Sequence, residues 1–206
     1  MKDLMIECIS SGMLDSNVYL VKYKSNILVI DGGAPFEDIK KYIDSNSKVK
    51  QIILTHAHVD HIFYVDEYKK ITGADIYMSE SDFELAKNPN FNCSSMMGYN
   101  LVINSEIIKL KGAEKLEFGD LKIEIINTPG HTPGGISIKI NEYLFTGDTL
   151  FNGGIGRTDL YKGDPEILID SIKNKIFTLD ENMIILPGHG LQSTIRDEKA
   201  RIKYFE

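Results

Sequence analysis

A mixed α/β chain folded as a four-layer αββα sandwich is what this sequence predicts, with residues 1–206 expected to form one domain. Three observations carry that expectation. Strand-like runs rich in Val, Ile and Tyr fall into two groups, one in each half of the chain. Each group is accompanied by segments with helical periodicity, so two sheets facing one another with helices outside would bury every apolar face. No low-complexity tract or linker divides the 206 residues, a length that suits one sizeable core.

The elements follow in order. "LMIECIS" (4–10), "NVYLVKY" (17–23) and "NILVID" (26–31) read as strands, the last two joined by a hairpin at Lys24-Ser25 and closed by the turn signal Asp31-Gly32-Gly33. Pro35 opens a helix in its first turn, with Phe36, Ile39 and Ile43 on one face. "KQIIL" is a short buried strand. "DHIFYVDEYKKITG" predicts one helix stopped by Gly73, "ADIYMS" a strand and "ESDFELAKN" a helix. In the second half, "EKLEFGDLKIEIINT" is a hairpin about Gly119-Asp120 and "GISIKINEYLFTGD" another about Asn141-Glu142. "PEILIDSIKNKIFTL" is an amphipathic helix, "NMIILPG" a strand and "TIRDEKARIKYF" a closing helix. The polar loop "NPNFNCSSMMGYN" (88–100) is long enough to be functional or mobile.

Composition excludes several classes. The chain is 42% hydrophobic and 26% charged, as soluble globular proteins are. No apolar run approaches the roughly 20 residues that cross a bilayer, and Asp3 and Glu7 interrupt what a signal peptide would need. The expectation is a cytoplasmic protein with no membrane partner. A net charge of −7 without a basic cluster argues against nucleic acid as a partner. Cys8 and Cys93 fit neither a disulfide framework nor a metal clip. Cys8 is expected to be a small core filler, and Cys93 a bystander in a polar loop.

Chemistry concentrates in "THAHVDH" (55–61). The chain has five histidines, and three of them lie in this stretch beside Asp60. In an extended loop, residues two apart point the same way, so His56 and His58 can grip one ion together. Asp60 and His61 fall at the start of the next helix and point to a neighbouring position, where a second ion would need a different set. His131 in "NTPGHTPGG", His189 in "LPGHG" and Asp148 in "LFTGDTLF" each sit in a turn at a strand end, where scaffolds collect ligands and catalytic groups. Singly, His131 or His189 is more often a plain turn residue, Asp60 an N-cap and Asp148 a turn former. As a set they predict a centre for divalent metal. Zn²⁺ is the default for His-rich sites, and Fe and Mn accept the same donors.

"THAHVDH", "PGHTPGG", "FTGDTLF" and "LPGHG", in that order, resemble the metallo-β-lactamase superfamily, and "GDTLFNGGIGRTDL" is similar to its glyoxalase II-like (hydroxyacylglutathione hydrolase-like) branch. The resemblance covers nearly the whole chain and implies the αββα sandwich. It also implies that His56, His58 and His131 hold one metal ion, that Asp60, His61 and His189 hold the second, and that Asp148 bridges them. The implied reaction is hydrolysis of a small hydroxyacyl thioester, such as S-lactoylglutathione, by water that two ions activate. Asp60 and Asp148 would be the catalytic carboxylates, Asp60 also orienting the water or relaying a proton. Asp148 stands where zinc β-lactamases most often carry Cys, and His58 where flavodiiron proteins carry Glu, which argues against both chemistries. Seventeen residues follow His189, so the extra C-terminal helical domain of the longer forms is expected to be missing and the short form is the match.

Around the ligands, Asp31 and Thr55 are candidates to orient histidines. Arg157 and Asp159 read first as a pair bracing their loop. The functional alternative gives a substrate carboxylate to Arg157 or Lys162. Tyr99 and Met97 on the 88–100 loop are placed to wall the acyl or thiol group. Two rival activities share these motifs: a persulfide dioxygenase using one Fe²⁺ on His56, His131 and Asp148, and a lactone hydrolase.

Overall fold

In the computed structural model, which describes residues 4–201, two six-stranded sheets stack face to face. The first sheet takes its strands in chain order: β1 (Leu4–Ile9), β2 (Val18–Tyr23), β3 (Asn26–Ile30), β4 (Lys48–Ile53), β5 (Asp75–Ser79) and β6 (Ile107–Leu110). Interleaved with them are the helices α1 (Phe36–Lys40), α2 (Val59–Ile62), α3 (Val65–Thr72) and α4 (Phe83–Ala86). The chain continues through β7 (Lys115–Phe118), β8 (Leu121–Asn127), β9 (Ile136–Ile140), β10 (Tyr143–Gly147), a small hairpin of β11 (Leu150–Phe151) and β12 (Gly154–Ile155), α5 (Pro165–Ser171), β13 (Ile184–Pro187), β14 (Ser193–Thr194) and α6 (Ile195–Arg201). The second sheet has the order β14-β13-β10-β9-β8-β7.

The period of two along each strand explains the layering. Tyr19, Val21, Leu28 and Ile30 point inward and meet Ile123, Ile125, Ile138 and Phe145 of the other sheet. The alternate residues Leu20, Ile27 and Val29 point outward, under Ile39, Ile62, Val65 and Tyr68 of the helices. Leu144 and Ile185 do the same on the far side, beneath Leu168, Ile172, Ile176 and Ile195. Three apolar layers between four structural ones make the αββα sandwich. Strand segments covered on both faces are apolar on both, as residues 18–21 of β2 and 27–30 of β3 are.

Direction places the site. β3, β4 and β5 run parallel, as do β10 and β13. β8 is antiparallel to β9, which is antiparallel to β10, so β8 runs with β10. The segments leaving β3, β4, β8, β10 and β13 therefore emerge at one end. Cross-sheet hydrogen bonds close that end: Ile136 N–H donates to Thr55 O (2.9 Å), Asn17 N–H to Gly188 O (2.7 Å) and the Tyr19 hydroxyl to Pro187 O (2.7 Å).

Several elements differ from the sequence reading. The helix expected across 60–73 breaks at Phe63-Tyr64. Its interruption has a cause: Gly32 N–H takes the carbonyl of His61 (2.6 Å), which the next helical turn would have used, and Tyr64 N–H donates to Gly32 O (2.8 Å). The helix after Pro35 is only Phe36–Lys40, with Pro35 at its N-cap instead of within its first turn. The 80–88 helix is a 3₁₀ turn followed by α4. The 165–179 helix passes from α5, capped by Asp164, into a π-type turn at Ile172–Ile176. β6, β14 and the β11–β12 hairpin were not anticipated. The end of the closing helix, 202–205, lies outside the described residues. Cys8 is exposed, on the edge strand β1, and not a core filler.

Candidate metal centre

Each donor arrives from the end of a strand. His56 and His58 lie in the extended segment after β4, Asp60 and His61 in the first turn of α2, His131 after β8, Asp148 after β10 and His189 after β13. Three groups of atoms fall within 4.8 Å of one another: His56, His58 and His131; His56, His61 and Asp148; and Asp60, His61 and His189. The Asp148 carboxylate spans the groups, with Oδ1 3.3 Å from His61 Nε2, and Oδ2 3.5 Å from His131 Nε2 and 3.6 Å from His189 Nε2. Asp60 Oδ2 lies 3.1 Å from His189 Nε2 and 3.4 Å from His61 Nε2.

Outer partners set which nitrogen faces the centre. The Thr55 hydroxyl donates to Asp31 Oδ2 (2.8 Å), so its oxygen is left to accept from His56 Nδ1 (3.1 Å). His61 Nδ1 donates to Asp31 Oδ2 (2.8 Å), His131 Nδ1 to the Arg157 carbonyl (2.7 Å) and His189 Nδ1 to the Leu14 carbonyl (3.1 Å). Each of those four rings therefore turns an Nε2 lone pair inward, the usual outer-shell arrangement of metal-bound histidine. His58 offers Nδ1 instead, 2.8 Å from His131 Nε2. Asp31 and Thr55, expected to orient histidines, do so, Asp31 against His61 and Thr55 against His56.

These atoms fit a bound cation. His56 Nε2 and Asp148 Oδ1 are buried with no hydrogen-bond partner among the described residues, and His61 Nε2 faces His189 Nε2 at 3.3 Å. Inward lone pairs and two buried carboxylates at such distances repel unless positive charge lies among them. Room for it is enforced by glycine: a Cβ on Gly188 would lie 2.1 Å from Asp148 Oδ1.

The electrostatics agree. Burial, with the neighbouring rings His61 and His131, keeps His56 neutral, and burial with His131 pushes His58 down to about 3. Burial lowers His131 too. Burial works against ionisation of Asp148 and Asp60, but the surrounding histidines outweigh it and hold both below the ordinary carboxylate range. At His61, burial is overcome by Asp60, Asp148 and Asp31, and at His189 by Asp60 and Asp148, so both rings favour a proton. That proton occupies the nitrogen a metal ion would take, so acid and metal compete there.

A second tier was missed by sequence reasoning. Buried Asp82, at the end of the 3₁₀ turn, accepts from Ala57 N–H (3.0 Å), the Thr132 hydroxyl (2.8 Å) and Gly134 N–H (2.6 Å). It ties the loop between His56 and His58 to the loop carrying His131. Its only signal was an acidic residue just before the apolar Phe83 and Leu85 of a helical stretch, which reads equally as an ordinary cap.

Above the donors opens a cavity of about 380 Å³. Arg157 lines it, but its Nε and Nη2 each lie 2.7 Å from an oxygen of Asp159, the bracing pair. Lys162 is bound to Glu84 (3.2 Å) and Tyr99 packs edge-on against Phe63 (5.1 Å); neither is among the lining residues. Met97 does line the cavity, and so does Cys93, which is therefore more than a loop bystander.

A four-layer sandwich with such a donor set at one sheet end defines the class as metal-dependent. The chain belongs to the metallo-beta-lactamase superfamily, whose family model matches residues 11–189. That makes it a metallo-hydrolase of this superfamily, consistent with its relatives. It is 33% identical over 192 residues to the probable metallo-hydrolase YqgX of Bacillus subtilis, covering 91% of both chains. It is 36% identical over 190 residues to the hydroxyacylglutathione hydrolase GloC of Haemophilus influenzae, covering 85% of both. The solved structure of BLEG-1, described as a B3 metallo-beta-lactamase, superposes with a TM-score of 0.91 at 32% identity, over 97% of this chain and 99% of that one. Among the described residues no helix is long and apolar enough to cross a membrane.

Proposed function

We propose that this protein hydrolyses small thioesters of the hydroxyacyl-thiol kind, at a centre of two divalent ions with zinc the first candidate, in the cytoplasm. The observation that carries the reading is the inward turn of the seven donors, four of them histidines whose Nδ1 is committed elsewhere. The name borne by the Haemophilus influenzae relative supports the substrate class. His56, His58 and His131 would hold one ion, Asp60, His61 and His189 the other, with Asp148 between them. When bound, such ions supply Lewis acidity and water that ionises near neutrality.

The chain's own groups do the rest. Asp31, the Arg157 carbonyl and the Leu14 carbonyl hold the rings in one tautomer. Asp60, kept ionised by His61 and His189, is the carboxylate placed to orient water and pass on its proton. The cavity receives the acyl-thiol substrate, with Arg157 at its wall. Lys162, held by Glu84, and Tyr99, packed on Phe63, lie outside that lining.

The test is elemental analysis of protein purified without chelator, followed by turnover of S-lactoylglutathione, a lactone, a β-lactam and a persulfide. Two ions per chain with thioester turnover is the expected result. One iron per chain with oxygen uptake on persulfide would replace the proposal by the dioxygenase. The β-lactam belongs in the panel because a chain named as a β-lactamase superposes so closely, which weakens the argument from Asp148.

A further inference from the structure

We infer that the substrate carries an uncharged apolar arm, received by a wall formed from Leu14, Met96, Met97, Phe151 and Leu160. This deepens the thioester reading and rests on it for the reacting bond alone. Apart from the metal donors and Arg157, the lining of the cavity is Leu14, Val59, Cys93, Met96, Met97, Phe151 and Leu160. The one non-histidine cation among these residues is Arg157, and its guanidinium fork is already occupied by Asp159. The lining therefore has little to offer a substrate carboxylate and much to offer hydrocarbon.

The exposure of this wall is built in. Leu14 is 61% and Met96 73% exposed, where ordinary folding would leave polar groups. The 88–100 loop that presents the methionines is fastened at many points. Val59 N–H donates to Asn92 O (2.9 Å), Asn92 Nδ2 to Leu101 O (2.9 Å), Ser94 N–H to Asn92 Oδ1 (3.0 Å) and Leu101 N–H to Ser94 Oγ (3.1 Å). Phe91 stacks on Tyr161 with ring centres 3.7 Å apart. On the opposite side, Leu14 has φ 57°, a left-handed conformation that a branched side chain adopts at a cost. Its carbonyl orients His189 while its side chain reaches the cavity. Methionine and leucine held over a metal centre by fixed backbone make an adaptable apolar receptor.

The experiment measures binding of non-hydrolysable thioethers to the metal-loaded protein by calorimetry. S-hexyl-N-acetylcysteamine should bind at least tenfold more tightly than S-methyl-N-acetylcysteamine. S-methylglutathione, which adds charge without an arm, should gain less than threefold over the latter. The Met96→Ser, Met97→Ser double variant, with metal content checked, should cut the hexyl advantage to below threefold. Equal binding of hexyl and methyl probes, a tenfold gain from the glutathionyl group, or an undiminished hexyl advantage in the double variant would each overturn the inference. A hexyl preference without turnover of any thioester would remove the proposed function and leave the apolar receptor standing.

Discussion

Asp31 serves two ligands at once, through Thr55 to His56 and directly to His61. Replacing it with Asn keeps the size and tolerates its left-handed backbone (φ 62°), but puts an amide where His61 needs an acceptor. Asp31→Asn should weaken metal binding by about 10- to 100-fold, read by competition with a chromophoric chelator. Gly188 is stricter. In Gly188→Ala the new Cβ would press on Asp148 Oδ1 from 2.1 Å and on His61 Cε1 from 2.8 Å. Elemental analysis should then find at least one ion missing from an otherwise folded chain. The seven clustered residues, Asp31 and Thr55 were legible in the sequence because histidine is scarce here, four of the seven share one short stretch, and His131, Asp148 and His189 each sit in a turn signal. Leu14, Asn92 and Asp82 were not. Leu14 acts through a backbone carbonyl that any residue type supplies, whereas Asn92 and Asp82 act through side chains that, in a polar loop and at a helix start, look like ordinary turn and cap residues.

At the scale of elements, the break between α2 and α3 shows why the 60–73 periodicity misled. Ile62, Val65 and Tyr68 are buried as one helix would bury them, but Gly32 captures the carbonyl of His61 and splits the segment. Periodicity reports which face is apolar and is silent on a hydrogen bond taken by Gly32, far back in the chain. The joint is braced at the next turn, where Asp66 accepts from Asn104 N–H (2.8 Å) and Ser105 N–H (2.9 Å). Burial opposes ionisation of Asp66, but those donors outweigh it and lower its pKa. A carboxyl depressed in the fold stabilises it above the unfolded value near 3.9 and ceases to as pH falls through the folded value. Wild type should therefore be more stable than Asp66→Asn at pH 7, by roughly 1 kcal/mol after solvent screening. Thermal melts should show that gap closing below about pH 4. Asp82→Ala strands three buried donors and should cost about 3 kcal/mol in urea unfolding.

The molecule as a whole follows from alternation. Strands with apolar residues on both faces demand cover on both sides, and that demand was visible in "NVYLVKY" and "NILVID" before any contact was known. Short edge pieces such as β14 and β11 escaped because two residues carry no period. A centre of buried carboxylates and inward lone pairs also makes the metal part of the fold. Chelation should lower the thermal midpoint, since an ion at 100 times its dissociation constant contributes about 2.7 kcal/mol per site. An unchanged midpoint in scanning calorimetry would mean the donors tolerate one another without it.

Asn17 donates to the carbonyls of Pro187 and Gly190, and Leu14 holds His189 across 175 positions. On the ribosome, the first 61 residues present four of the seven donors long before His131, Asp148 and His189 exist. The clamp that aims His189 has its anchor made 175 positions before its target. Full loading with metal therefore has to await emergence of His189, and a nascent chain stalled before His131 would offer cations only the cluster at 56–61.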